Sequence, residues 1–244
     1  MVRLSERLMT VANMVTPGLR VADVGCDHAH LAIYLTEQGI SPFVYAIDVN
    51  AGPLEGAERS IEEAGLAGRI ETVLGYGLCG INKGDADCIV MAGMGGPLMA
   101  EIMRTSKEVC DSAAEFILEP QSEPGMLRHF LEDSGYLIIS EDMVCEENKY
   151  YPVIKCRHGR MKLDREIYYL YGKVLVKERH PVLLRYLYQK RRILNEIRLK
   201  LEEAADSDSV NARRKSIGIE LQYIEEALFV MEQESPVEIE RIIL

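Results

Sequence analysis

The sequence predicts an α/β fold: a parallel sheet covered by helices, closed at one edge by an antiparallel hairpin and followed by an antiparallel helical hairpin. Three patterns predict it. Through residue 134, short apolar runs alternate with stretches of helical periodicity, the signature of consecutive βα units. Residues 136–156 then hold two apolar runs separated only by Glu146-Glu147-Asn148-Lys149, which suits a hairpin and is too short for a crossover. Beyond about residue 160, leucines recur every seven positions.

A first helix is expected over 5–15, with Leu8, Val11, Ala12 and Val15 on one face and Thr16-Pro17-Gly18 as its stop. A strand at 21–25 leads to a helix near 28–38, and a strand at 43–48 to a helix near 53–65, with Gly65 past its end. A strand at 69–74 precedes the loop Gly75-Tyr76-Gly77. A strand at 87–92 precedes the loop Gly93-Met94-Gly95-Gly96-Pro97 and a helix to about Arg104. Strand 115–119 and helix 124–134 complete the alternation, and strands 136–145 and 150–156 make the edge hairpin. A parallel sheet with such an edge is typical of the class I (Rossmann-like) methyltransferase variant of the doubly wound fold. In the C-terminal part, Leu187, Leu194 and Leu201 repeat, with Ile197 and Ala204 between them, and Ile217, Leu221, Ile224, Leu228 and Met231 form a second seam. Asp206-Ser207-Asp208-Ser209 breaks and recaps the chain between them, and Pro236 is expected to end the second helix. The apolar tail 239–244 has no assigned role. Two domains are expected, 1–160 and 161–244. The helical pair reads either as a nucleic-acid-binding arm or as an oligomerisation arm.

At 244 residues and 48% hydrophobic content, the chain can bury a full core. No run approaches the roughly 20 apolar residues of a membrane span, and the start lacks the apolar stretch of a signal peptide. Six cysteines are scattered without CxxC pairs, so reduced core thiols in a cytoplasmic protein are expected and a metal site is not. The net charge is −11, but residues 155–200 hold 14 Lys/Arg against 4 Asp/Glu, and the remainder holds 14 against 35. This asymmetry reads as a phosphate-contacting segment on an acidic body, or as a solvated helix face.

The segment Val21-Ala22-Asp23-Val24-Gly25-Cys26-Asp27-His28-Ala29-His30-Leu31 carries the chemistry: strand, tight turn, helix, with Asp48 ending the next strand. That arrangement holds an adenosine cofactor, the carboxylate accepting from ribose hydroxyls. A dinucleotide would need three glycines to cradle its pyrophosphate, and only Gly25 is present. The acidic Asp27 would repel a pyrophosphate and attract a sulfonium, so S-adenosylmethionine is favoured over NAD. Asp23 and Gly25 are expected to orient the methionine part. Asp27 either holds its amino group or caps the helix. His28 either contacts cofactor or substrate or bonds its own backbone. His30 reads as structural. Tyr76 sits where an acid often reads the adenine amino group, and Arg7 is either a clamp for the cofactor carboxylate or a surface arginine. Val49, Gly75, Gly77, Ala92 and Gly93 complete the expected cofactor contacts. The glycine loop after the fourth strand admits a flat substrate, with Met94 as a soft apolar contact. Asp27, His28 and Met94 are the residues expected at the reacting centre.

Together, Leu4-Ser5-Glu6-Arg7-Leu8, Ala22-Asp23-Val24-Gly25-Cys26-Asp27-His28-Ala29, Ala92-Gly93-Met94-Gly95-Gly96 and Leu118-Glu119-Pro120-Gln121 resemble the bacterial tRNA adenine-N1-methyltransferase family that modifies adenine 22. The resemblance extends over almost the whole chain. Family members carry Gly-Asp-Gly-Leu where this chain has Gly75-Tyr76-Gly77-Leu78, a departure that touches adenine recognition. The resemblance implies methyl transfer to N1 of a flipped adenine in tRNA, without a metal, by a monomer or weak homodimer. Lys173, Lys177, Arg179, Arg185, Lys190, Arg191, Arg192 and Arg198 would then hold the tRNA backbone. Two other readings stand beside it: a methyltransferase for another RNA or a small molecule, and a non-catalytic RNA-binding protein.

Overall fold

The computed structural model describes residues 2–203, 205 and 207–233, so Ala204, Asp206, Pro236 and the tail 239–244 lie outside the described residues. Two compact units are present, Met1–Lys162 and Leu163–Leu244.

In the first unit, seven strands form one sheet: β1 (Val21–Val24), β2 (Val44–Asp48), β3 (Ile70–Leu74), β4 (Cys88–Gly95), β5 (Glu115–Ser122), β6 (Tyr136–Glu146) and β7 (Lys149–His158). Their order is β3-β2-β1-β4-β5-β7-β6. The first five are parallel, and β7 is antiparallel to both β5 and β6. The hairpin turns at Glu147 and Asn148, both at positive φ, as a two-residue turn matched to strand twist requires. Helices α1 (Glu6–Met14), α2 (His30–Glu37) and α3 (Ala51–Glu63) alternate with the early strands; α4 (Gly96–Thr105), α5 (Lys107–Cys110) and α6 (Pro124–Asp133) with the later ones.

Strand residues of opposite parity feed two cores, as the period of two demands. Val21, Val44, Ala46, Cys88 and Val90 pack with α1, α2 and α3, whereas Ala22, Val24, Ile47, Ile89 and Met91 pack with α4, α5 and α6. Asp23 shares the parity of Val21 and is therefore carried into the first core. The strand order reverses between β1 and β4, which places the crevice at the carboxyl ends of those two strands.

Three expectations need correction. Helix α2 begins at His30, not near 28; its N-cap is Ala29 in the left-handed region with no side-chain cap, so Asp27 does not cap it. Residues 93–95 continue β4 in bulged register against β5 instead of forming a loop. The glycines hid the strand because they carry no β-propensity, yet the ladder tolerates them at a bulge. The short helix α5 had no periodicity long enough to read.

In the second unit, α7 (Glu166–Tyr171) and α8 (Lys173–Lys177) precede two long helices, α9 (Pro181–Glu202) and α10 (Asp208–Gln233). The long pair is antiparallel: Arg179 donates to the Glu232 carbonyl, Arg191 pairs with Glu225, and Arg214 donates to the Leu201 carbonyl. Leu183, Leu187 and Leu194 of α9 are buried, as are Ile217, Leu221, Ile224, Leu228 and Met231 of α10. Ser207 Oγ accepts from the Val210 N–H and so begins α10.

Candidate active site

Beyond β1, the chain turns through Gly25 (φ 76°), Asp27 (φ 51°) and Ala29 (φ 58°) before α2 starts. Alternating left-handed residues turn backbone N–H groups inward and strain two non-glycine positions, which is how ligand-binding loops are built. A Cβ at Gly25 would also meet Met94 Cε at 2.5 Å, so the end of that side chain would have to move aside. The loop borders a cavity of about 270 Å³ lined by Arg7, Leu8, Asp23, Gly25, Cys26, Asp27, His28, His30, Leu31, Ala92, Gly93 and Gln121. Seven residues expected at the site thus meet there: Arg7, Asp23, Gly25, Asp27, His28, Ala92 and Gly93. Met94 is not among the lining residues; its side chain packs under Gly25 and against the core. His30, expected to be structural, does line the cavity, with its ring 5.9 Å from that of His28. His28 Nδ1 lies 2.8 Å from where a Cβ at Gly56 would stand, so that glycine makes room for the imidazole.

Asp23 is the floor of the cavity. Burial, followed by the Asp48 charge, pushes its carboxyl up to about 7, against a backbone hydrogen bond from Ala32 that lowers it. Its Oδ2 is buried without a partner. Burial likewise drives the Cys26 thiol well up, with the Asp23 and Asp48 charges adding to it, so this cysteine is no nucleophile. Asp48, at the end of β2, accepts from the Asp27 N–H (3.3 Å) and from the Asn50 N–H (2.9 Å). The neighbouring Gly75 N–H donates to the Asp48 carbonyl, tying the loop after β3 to the same edge. Val49 and Tyr76 are exposed at that edge.

Glu119 and Gln121 stand in the sequence only as part of Leu118-Glu119-Pro120-Gln121, with no role read for either, yet Gln121 lines the cavity. Glu119 is wholly buried at the carboxyl end of β5, where its Oε2 accepts from Arg7 Nη1 (2.6 Å) and from the Gly93 N–H (2.8 Å). Arg7 is therefore not a plain surface group: it is held at the cavity wall, with its guanidinium 5.5 Å from the Tyr151 ring centroid. Glu119 Oε1 has no partner, and burial raises the carboxyl above its ordinary range despite Arg7. The signal in the sequence was an acid inside the apolar run Phe116-Ile117-Leu118-Glu119-Pro120.

In the second unit, the basic residues are largely engaged. Lys190 pairs with Glu220, Arg191 with Glu225, Arg192 with Glu196 and Arg198 with Glu202. Lys173 lies over the Tyr168 ring, and Arg185 and Arg192 are exposed along α9 with Tyr188 between them. Residues 163–244 carry 14 Lys/Arg against 15 Asp/Glu, so the basic run is balanced in sum by the acidic residues after position 200.

The model of a methyltransferase domain matches residues 4–154. The tRNA (adenine(22)-N(1))-methyltransferase of Bacillus subtilis is 31% identical over 235 residues, 93% of this chain and 97% of that protein. The chain belongs to this family. The crystal structure of the B. subtilis m1A22 tRNA methyltransferase TrmK superposes with a TM-score of 0.83 at 30% identity, covering 93% of this chain and 100% of that one. The Streptococcus pneumoniae protein Sp1610, solved in complex with S-adenosyl-L-methionine, gives 0.82 at 32% identity with the same coverage. A class I, Rossmann-like methyltransferase sheet is thus common to this tRNA methyltransferase family and to the present chain. Among the described residues, no cluster suited to a metal ion occurs, and no helix is long and apolar enough to cross a membrane.

Proposed function

We propose that the chain transfers a methyl group from S-adenosylmethionine to N1 of an adenine in tRNA, at position 22 as in its named relatives. The carrying observation is the polarity of the cavity: Asp23 and Asp27 line it, Asp48 is bonded to Asp27, and a buried oxygen of Asp23 has no partner. Such a site suits a cation and repels a phosphate.

The residues fit this cofactor. The orphaned Asp23 oxygen matches an ammonium donor, Gly25 leaves no Cβ in the turn, and Asp48 retains acceptor capacity for ribose hydroxyls. Arg7, fixed by Glu119, offers its remaining N–H groups to the methionine carboxylate. When bound, the cofactor would supply a methyl group on an electrophilic sulfonium, whose S–CH3 bond breaks to leave the neutral thioether S-adenosylhomocysteine. An adenine ring nitrogen attacks with a lone pair, so the chain does not need to remove a proton first. Its contribution is to hold the base in line and to exclude water. Asp27, largely exposed at the rim, places negative charge where the methylated base becomes cationic. Gly93, at φ 81° in the bulge, keeps the wall beside the incoming ring free of a side chain.

The helical unit holds the tRNA backbone through the outward residues of α9, Arg185 and Arg192 foremost, with Lys173, Lys177, Arg179, Lys190, Arg191 and Arg198 beside them. The enzyme acts as a monomer or weak homodimer in the cytoplasm, a reducing compartment that suits its six free cysteines. Incubation with labelled S-adenosylmethionine and unmodified tRNA, followed by nucleoside analysis, should yield labelled 1-methyladenosine. A protein that binds the cofactor but leaves tRNA unlabelled refutes the acceptor.

A further inference from the structure

The edge formed by the ends of β2 and β3 carries an unexplained apolar surface. Val49, Leu74 and Tyr76 are 59%, 62% and 45% exposed, and Leu74 is the register partner of Asp48. Exposed large apolar side chains are otherwise few on this unit; here three gather beside one carboxylate. The loop that presents Tyr76 is rigidly built. A Cβ on Gly75 would strike the Cys79 carbonyl oxygen, and Gly77, at φ 60°, lies so close to Ile102 of α4 that a Cβ would stand 2.9 Å from its methyl group. The loop is thereby pressed onto α4, and the Tyr76 hydroxyl donates to Glu101 Oε1 at 3.0 Å.

We propose that Glu101, oriented by Tyr76, reads the 6-amino group of the cofactor's adenine, with Val49 and Leu74 as the apolar bed for the ring. The proposal rests on the S-adenosylmethionine reading given above. Asp48 fixes the ribose end, so a purine attached to that ribose lies over its neighbours Val49 and Leu74. A purine is flat and apolar on its faces, and its one exocyclic donor lies at the rim. At the rim of this bed stands a carboxylate with one oxygen engaged by a phenol and the other open to accept. The bond to Glu101 also raises the Tyr76 hydroxyl's pKa, so it stays a donor and keeps the carboxylate turned towards the loop. Glu101 is a specificity residue in this scheme, and Tyr76 a positioning residue.

The test is a two-by-two binding comparison. Affinities of the full chain and of Glu101→Ala are measured for S-adenosylhomocysteine and for its 6-desamino analogue, in which hydrogen replaces the amino group. The unaltered chain should prefer the amino compound by about tenfold, the low end for a charge-assisted hydrogen bond at an exposed site. Glu101→Ala should erase that preference by weakening the amino compound alone, and Tyr76→Phe should reduce it partway. Equal loss for both ligands, or a preference that survives Glu101→Ala, overturns the assignment. Failure of the unaltered chain to bind either ligand overturns the cofactor reading itself.

Discussion

Asp23→Asn should change how stability responds to pH. Asp23 is only 4% exposed, and its carboxyl is pushed up to about 7 from an ordinary 3.8. The folded chain therefore holds this proton more tightly than the unfolded chain does. The stabilisation is complete below about pH 4, declines as pH rises, and is lost once the folded-state carboxyl ionises near pH 7. A displacement of about three units corresponds to about 4 kcal/mol at saturation. Asparagine removes the ionisation but buries amide hydrogens without an acceptor, at a cost of about 1–2 kcal/mol. The variant should thus be less stable than the parent at pH 4 and more stable, by about 2 kcal/mol, above pH 7. Urea unfolding of both ligand-free chains from pH 4 to 8 measures this, and taking the difference removes the contribution of every other carboxylate. A cationic ligand seated on Asp23 should meanwhile release a proton when it binds at pH 6. Calorimetry in buffers of different ionisation heat would detect that release in the parent and not in the variant. Two stability curves that stay parallel, together with binding that releases no proton, would refute the reasoning.

Asp48→Ala should weaken S-adenosylhomocysteine binding by at least about tenfold and leave tRNA affinity unchanged, since it removes a charged acceptor. Charge reversal of Arg191 and Arg192 to Glu should do the opposite, as filter binding of tRNA and calorimetry of the cofactor would show; equal losses in both assays would contradict the division of labour. Glu119→Ala should lower stability by about 2–3 kcal/mol, less than a fully enclosed pair because Arg7 is one-fifth exposed and Glu119 already has one unmet oxygen. Its methyl transfer should fall with that of Arg7→Ala, and the double variant should be no worse than either, which a kinetic double-mutant cycle tests. Gly25→Ala should destabilise through its positive φ and its clash with Met94, and adding Met94→Ala should restore only the part due to the clash. Thermal unfolding separates the two contributions.

All seven strands were legible in the sequence, because each is a short apolar run bounded by turn residues. The helices legible beside them are those long enough to show a period; α5, α7 and α8, at four to six residues, are not. Within the site, Asp23, Gly25, Asp27 and His28 were readable because they share one turn, and Arg7, Ala92 and Gly93 because each sits in a motif of its own. Glu119 was not readable, since its meaning depends on Arg7, 112 positions away, and on a bulge at Gly93 that turns an N–H towards it. The same limit hid the pairing of Tyr76 with Glu101, 25 positions on and in a different element. The basic run 155–200 shows only part of its electrostatics in sequence: Glu220 and Glu225, which pair with Lys190 and Arg191, follow on α10 and face them only after the chain has reversed.

The reversal has a kinetic meaning. When a phosphate approaches Lys190 or Arg191, the side chain must leave Glu220 or Glu225 to meet it, exchanging one anion for another. Each such exchange yields little net free energy, and the released carboxylate then repels the visitor. A grip made of exchanged partners is shallow and quickly undone. In the proposed complex with tRNA, a loose hand of this kind would favour turnover over tenure.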